Sequence, residues 1–497
     1  MIRDYRNRQA DNGYCDMRDG KTEIPFFFTY GTEKYVGFSA LSLAEETCSR
    51  QGDVETATGI YLLDALRVTV KLTHYFSHGA TEWTVWFENV SERNSEVLTD
   101  LYSRMVFEGD RPVLRGILGD HQSFYEPYAK DLLAEDVSFS SDSGRATHVN
   151  FPYFNLEQGE GGTMLAIGWA GTWRADFSHA DGKTTYTARS VNGIKTYLKP
   201  GEVIRTALFT ILPYTVRDEQ YATNLWRHWF IHCNMPRADA TGAEVKPFST
   251  ACLAGDTGLP NSDGSISERH FTWQPSLEKM IAENVKVDFR WMDAGWYVAP
   301  DGHSEETDWW GSIGTWQFDP VKWPRDSFRR STDFARSRGM KTLLWFEPER
   351  VTDPENLEKD FGYDKRWAIV RDGVKAISNN IGDPDCYRWT VDRICKTLRD
   401  NRVEMYREDN NCNSGQLWRY LDEREGDDRG ELPRASLLTP IIACGTRSLP
   451  APFPLAVAAL WIPVRLAADG TIWSPCAAAY RFCAVMPTER PRRFVCP

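Results

Sequence analysis

The sequence has no apolar run long enough to cross a bilayer. Its longest, LAVAALWIPV, falls short of the roughly 20 residues a membrane helix needs, so no membrane partner is expected. The first twenty residues, MIRDYRNRQADNGYCDMRDG, lack the apolar core that drives secretion, which predicts a cytoplasmic chain. An excess of basic residues is missing too. Lys and Arg number 58 against 70 Asp and Glu, a net charge of −12, and no basic stripe interrupts that balance. Phosphate binding needs a basic surface, so nucleic acid is not an expected partner. The 11 cysteines form neither a CxxC pair nor a Cys/His metal spacing, which leaves reduced, mostly buried thiols and no expected metal. Lysine is absent from Leu432 to Pro497, where Asp469 and Glu489 are the only acids.

Aromatic residues are what the sequence has in abundance: 19 Trp, and 13% Phe, Trp and Tyr together. Aromatic faces stack on the C–H faces of sugars, but large β proteins also pack Trp in their cores, and composition does not separate the two. A chain of 497 residues predicts two or three domains. Residues 1–235 read as β. TEWTVWFENVS and TALFTILPYTV alternate or run β-branched and aromatic, and HADGKTTYTA carries a hairpin signal at Asp181-Gly182. Several strands with little helix between them predict an antiparallel sandwich, closed by a helix in YATNLWRHWFIHCNMP.

From about 240 to 431 short apolar runs alternate with helical stretches. VKVDFRWMDAGW is a strand ending at Asp293. DSFRRSTDFARSRGM is a helix before the strand KTLLWFEPE, and PDCYRWTVDRICKTLRDN is a helix before VEMYRED. This rhythm predicts a parallel β/α barrel, whose functional groups sit where strands end. The ends here carry Asp293 with Trp296, then Trp345, Glu347 and Glu349, then Arg407 and Asp409. The last, EMYREDNNCN, sets a cation, two acids and two amides directly after an apolar run. A turn explains the Asn residues and a surface loop the charges, but three acid-bearing strand ends in succession favour an active site. Two carboxylates flanking a sugar ring are the apparatus of glycoside hydrolysis. Asp409, short and fixed at a strand end, suits a nucleophile, and Arg407 beside it is expected to keep it ionised.

These residues resemble α-galactosidases of the melibiase type, glycoside hydrolase family 36. The motifs are FPYFNLEQGEGG, AIGWAGTW and NLWRHW, then WMDAGWY, GTWQFDPVKWP, RGMKTLLWFEPERV and YREDNN, in the family's order over roughly residues 145–430. The resemblance implies a multidomain β plus α/β fold: an N-terminal antiparallel β-supersandwich (1–235), then an incomplete (β/α)8 TIM barrel (240–431). It implies that Asp409 is the nucleophile of a retaining reaction through a covalent galactosyl–enzyme, on oligosaccharides such as melibiose or raffinose. Asp293, Trp296, Trp316, Trp345, Arg407 and Asn411 become the implied substrate-binding set, with Glu347 and Glu349 orienting the pocket. It implies no metal or organic cofactor, and raises a homo-oligomer. An α-N-acetylgalactosaminidase, a galactosyl transferase or a non-catalytic sugar-binding protein are the rival readings.

The resemblance stops at about residue 431. The family's acid/base is the Asp of a segment like L-W-R-S-D, after C-A-S-G-G-R-R, and neither appears; an aberrant tail, 432–497, stands there instead. Between Ala459 and Glu489, codons can be re-formed from the third base of each codon and the first two of the next. Suitable wobble bases then spell L-D-T-C-A-S-G-G-R-R-N-D-L-E-S-M-R-R-S-V-P-L-L-R-S-D-A-Y, with the acid/base Asp encoded across the Val485 and Met486 codons. A frameshift near residue 430 is therefore expected, with room for a second indel before 459. The nucleotide sequence tests this: its wobble bases are expected to spell that segment one base out of register, and bases that spell anything else contradict it.

Overall fold

The structure, a computed structural model, describes residues 5, 7–121, 125–169, 172–191, 193–234, 248–252, 273–303, 309–426 and 428–430. The tail, and with it the segment expected to carry the acid/base, lies outside the described residues. The chain divides into two compact units. One holds residues 1–235 and takes in 413–435; the other holds 236–412. The sequence boundary had placed everything up to 431 with the barrel. Instead the helix Ser414–Glu425 and the short strand Arg429–Gly430 return to the first unit. The cause is specific pairing: Gly430 and Arg429 ladder with Lys195 and Thr196, and the Arg429 guanidinium reaches both Glu202 oxygens at 2.7 and 2.8 Å.

The first unit is built from two antiparallel sheets, of 8 and 10 strands among the described residues. Their inner faces meet through aromatic rings. Phe26 and Phe28 of one sheet lie against Phe87 of the other, and Phe154 is ringed by Trp173, Phe177 and Tyr186. Much of the aromatic excess is thus core, as face-to-face sheets require. The expected hairpin is present: Trp173–Ala180 pairs with Lys183–Arg189 around Asp181 and Gly182. Both turn residues have positive φ, 51° and 72°, the geometry that matches the twist of the flanking strands. The expected closing helix is Glu219–Trp229, capped by the Asp218 carboxylate on the Tyr221 N–H.

The second unit carries four parallel strands in chain order: Thr250–Cys252, Phe289–Met292, Lys341–Phe346 and Met405–Glu408. Helices Trp273–Ala282, Ser327–Ser337 and Pro384–Asp400 precede the last three of them. These are the strand–helix repeats read from the sequence. Among the described residues the sheet they form is open, with Thr250–Cys252 and Met405–Glu408 at its edges. Parallel strands buried on both faces need continuous apolar or internally satisfied residues. Arg290 shows the second solution. Its guanidinium is fully buried and donates to Thr342 Oγ1, Ser331 Oγ and Thr332 Oγ1 at 3.0, 2.6 and 3.2 Å. The register Trp345↔Arg407 and Phe346↔Glu408 brings the carboxyl ends of the last two strands level, so the residues that follow emerge side by side.

Candidate active site

The site is assembled from three successive strand ends of the second unit. Beyond Glu408 the backbone continues the ladder for one more bond, the Asp409 N–H donating to Phe346 O at 2.8 Å. That bond fixes where the Asp409 side chain starts. Three donors then fix where it points. The Trp345 indole Nε1 donates to Oδ2 at 2.8 Å and the Asn411 side-chain amide to the same oxygen at 3.1 Å. The Asn410 backbone N–H donates to Oδ1 at 2.9 Å. The carboxylate is almost wholly buried.

The donors are themselves held. Glu347 Oε1 accepts the Asn411 backbone N–H at 2.7 Å, and its Oε2 accepts from Arg350 Nη2 at 2.8 Å. Arg350 lies 3.4 Å over the Trp310 ring and donates to the Trp310 carbonyl. Asn410 Nδ2 donates to Glu349 Oε2 at 3.0 Å, while its Oδ1 accepts the Cys412 N–H at 2.9 Å. Glu347 and Glu349 thus brace the loop 409–412 from both sides. Burial raises the Glu347 pKa above the usual carboxylate range, with Arg350 working against that shift.

Asp293 ends the neighbouring strand. Its Oδ1 accepts the Ala294 N–H at 2.7 Å, and its Oδ2 receives Arg407 Nη1 at 3.3 Å. Burial raises its pKa and Arg407 opposes the rise. Adjacency in sequence had assigned Arg407 to Asp409. In the structure its guanidinium turns to Asp293 and lies 3.8 Å over the Trp291 ring, while Asp409 is addressed from the next strand.

The tryptophans also differ from expectation. Trp296, Trp316 and Trp345 were expected to line a sugar pocket, but all three are buried. Trp296 packs on Tyr297, Phe318 and Phe346, and its Nε1 donates to the Trp345 carbonyl. Trp316 packs on Tyr297 and Phe346. They support the site from within the core and offer no open stacking face. Asn411, assigned to substrate binding by the resemblance, directs its side-chain amide to Asp409.

Three residues that belong to this constellation were given no role from the sequence: Arg350, and Asn410 and Glu408 of the polar run after Met405. Glu408 is fully buried and accepts from the Tyr406 hydroxyl at 2.9 Å. Desolvation first, then the nearby Glu349 charge, pushes its pKa from 4.5 to about 8. The available signal was the Tyr406-x-Glu408 spacing, which puts both side chains on one face of the strand.

No protein-family model matches the chain, and no curated protein matches it. Solved structures do. An α-galactosidase from Lactobacillus brevis superposes with a TM-score of 0.61 at 14% identity, over 86% of this chain and 58% of that one. The GH36 α-galactosidase AgaB from Geobacillus stearothermophilus gives 0.59 at 14% identity, over 85% of this chain and 59% of that one. AgaA from the same organism gives 0.58 at 14%, over 84% and 57%. The fold is similar to that of GH36 α-galactosidases. The chain spans less than two thirds of the length of each of these neighbours.

Glu408 generates a pH test. Its raised pKa means that the folded chain holds a proton the unfolded chain releases near 4.5. The stability it contributes is complete below pH 4.5 and is lost as pH rises toward about 8. Urea midpoints of Glu408→Gln, which keeps the neutral form, are expected to fall less than those of the wild type between pH 5 and pH 8. Equal pH slopes would contradict the assignment.

Proposed function

We propose that this chain is a glycoside hydrolase of the GH36 α-galactosidase type that cleaves terminal α-galactosyl residues with retention, Asp409 being the nucleophile. The observation that carries the reading is the three-donor clamp on Asp409 at the mouth of parallel strands. Neighbours of the same fold support the substrate class: variants of AgaA have been solved with stachyose and with raffinose bound.

In this reading Asp409 attacks the anomeric carbon, an ester bond to galactose forms, and the glycosidic C–O bond breaks. The departing oxygen takes its proton from a second carboxylic acid. Water then cleaves the ester, deprotonated by the same carboxylate. Trp345 and Asn411 hold Asp409 Oδ2, so Oδ1, which carries one backbone donor, is the freer atom for attack. Arg407 with Asp293 forms a charged pair suited to sugar hydroxyls. The proton donor belongs to the segment spelled by the shifted reading frame. A chain without it forgoes an acid worth about 10²–10⁴-fold, a loss that falls hardest on poor leaving groups. Its remaining strands would also leave open edges, which favours aggregation. A non-catalytic sugar-binding protein is the second reading, favoured by that missing segment.

Kinetics separate the two. A dinitrophenyl α-galactoside needs no acid assistance, so the purified chain is expected to turn it over while melibiose stays nearly untouched. Asp409→Asn should cost at least about a thousandfold on the activated substrate. Trp345→Phe keeps an aromatic side chain in this buried position, though a smaller one, and removes one hydrogen bond to a charged group. It should lower kcat about 30-fold with KM nearly unchanged. Galactose binding without any Asp409-dependent turnover would favour the binding protein, and brisk melibiose hydrolysis would contradict the missing acid.

A further inference from the structure

The 10-stranded sheet of the first unit has two ends. One is Pro127–Asp131, a strand of five residues that begins with proline, a common way of protecting an edge. The other is Ser42–Gln51, ten residues long and exposed at every position, on both of its faces. Outer strands of the companion sheet, Glu33–Val36 and Val137–Ser141, are half that length or less.

Which main-chain groups this edge presents follows from its hairpin. Gln51 pairs with Val54 across the two-residue turn Gly52-Asp53, with Gly52 at φ 62°. In such a hairpin the pair flanking the turn exchanges both of its main-chain bonds, and the alternation runs back from there. Gln51, Ser49 and Thr47 therefore face inward to Val54, Thr56 and Thr58. Arg50, Cys48 and Glu46 direct their N–H and C=O groups to the open edge. A register shift between Leu43 and Glu45 ends the regular stretch.

The geometry points to this edge as the pairing surface for a second copy of the same chain, strand 45–51 against strand 45–51, antiparallel about a two-fold axis through Cys48. In that register Glu46 stands opposite Arg50 of the other copy, twice over, and Thr47 opposite Ser49. A two-fold interface must be self-complementary, and the order Glu46-Thr47-Cys48-Ser49-Arg50 meets that condition by charge. Cys48 is an exposed free thiol, neutral and small enough to face its own copy on the axis. Within its own chain the Arg50 guanidinium lies 4.0 Å over the Phe76 ring, donates to the Gly52 carbonyl at 3.2 Å and stands 3.9 Å from Glu55 Oε2, so the pairing requires it to turn toward Glu46 of the other copy. Glu45 and Glu46 discourage a generic acidic or apolar strand, so the charges that blunt this edge for others favour its own copy. This inference does not depend on the proposed hydrolase activity.

Sedimentation velocity on the full chain tests it. The wild type is expected to dimerise. Glu46→Arg and Arg50→Glu should each weaken the dimer about tenfold, because like charges then face each other twice. The double variant Glu46→Arg/Arg50→Glu restores both pairs and should recover wild-type association. A short bismaleimide should link wild-type copies through Cys48, identified by mass spectrometry of the linked peptide, and fail with Cys48→Ser. A monomeric wild type, whether its edge is idle or kept for a strand of another protein, would overturn the proposal. So would a dimer equally strong in both single variants.

Discussion

One buried hydrogen bond organises the second unit's functional end, the 2.8 Å contact from the Trp345 indole to Asp409 Oδ2. It joins adjacent parallel strands through side chains, where their register already joins them through the backbone. A carboxylate out of water is costly unless its lone pairs are taken, and here the loop that follows supplies the remaining donors from Asn410 and Asn411. That loop is in turn tied to Glu347 and Glu349, and Glu347 to Arg350 stacked on Trp310. Removing any tier leaves the one above it without support, which is how a strand end acquires a side chain with a fixed aim.

Charge is distributed around that aim with some economy. Arg407 neutralises Asp293 and Arg350 neutralises Glu347, each a separate pair at a separate strand end. Glu408, facing the opposite side of its strand from Arg407, has a tyrosine hydroxyl and no cation among its described hydrogen bonds, and its raised pKa follows from that setting. A protonated Glu408 spares the adjacent Asp409 a like-charged neighbour, so two consecutive acids can coexist in a buried loop.

Much of this was legible in the sequence, and the reasons differ by element. The strands ending at Met292, Phe346 and Glu408 were readable because each is a short apolar run between helical stretches of the right length. The Asp181-Gly182 hairpin was readable because the turn demands positive φ. Partnership was less legible. Arg407 sits two residues from Asp409, yet it serves Asp293, 114 residues away, because neighbouring strand ends are closer in space than sequence neighbours suggest. Arg350 was invisible for the same reason, its aromatic partner lying 40 residues upstream. The resemblance put Trp296, Trp316 and Trp345 at a sugar pocket, but burial decides between core and platform, and neither motif nor composition encodes burial.

The most direct measurement of the central claim is trapping. The chain is incubated with an activated fluorogalactosyl fluoride, which forms a slowly hydrolysed glycosyl ester, and the tryptic peptide Glu408–Arg419 is sequenced by mass spectrometry. The account predicts a single sugar adduct on Asp409, absent from Asp409→Asn. An adduct on Glu347 or Asp293, or turnover of the reagent with no adduct on this peptide, would contradict it.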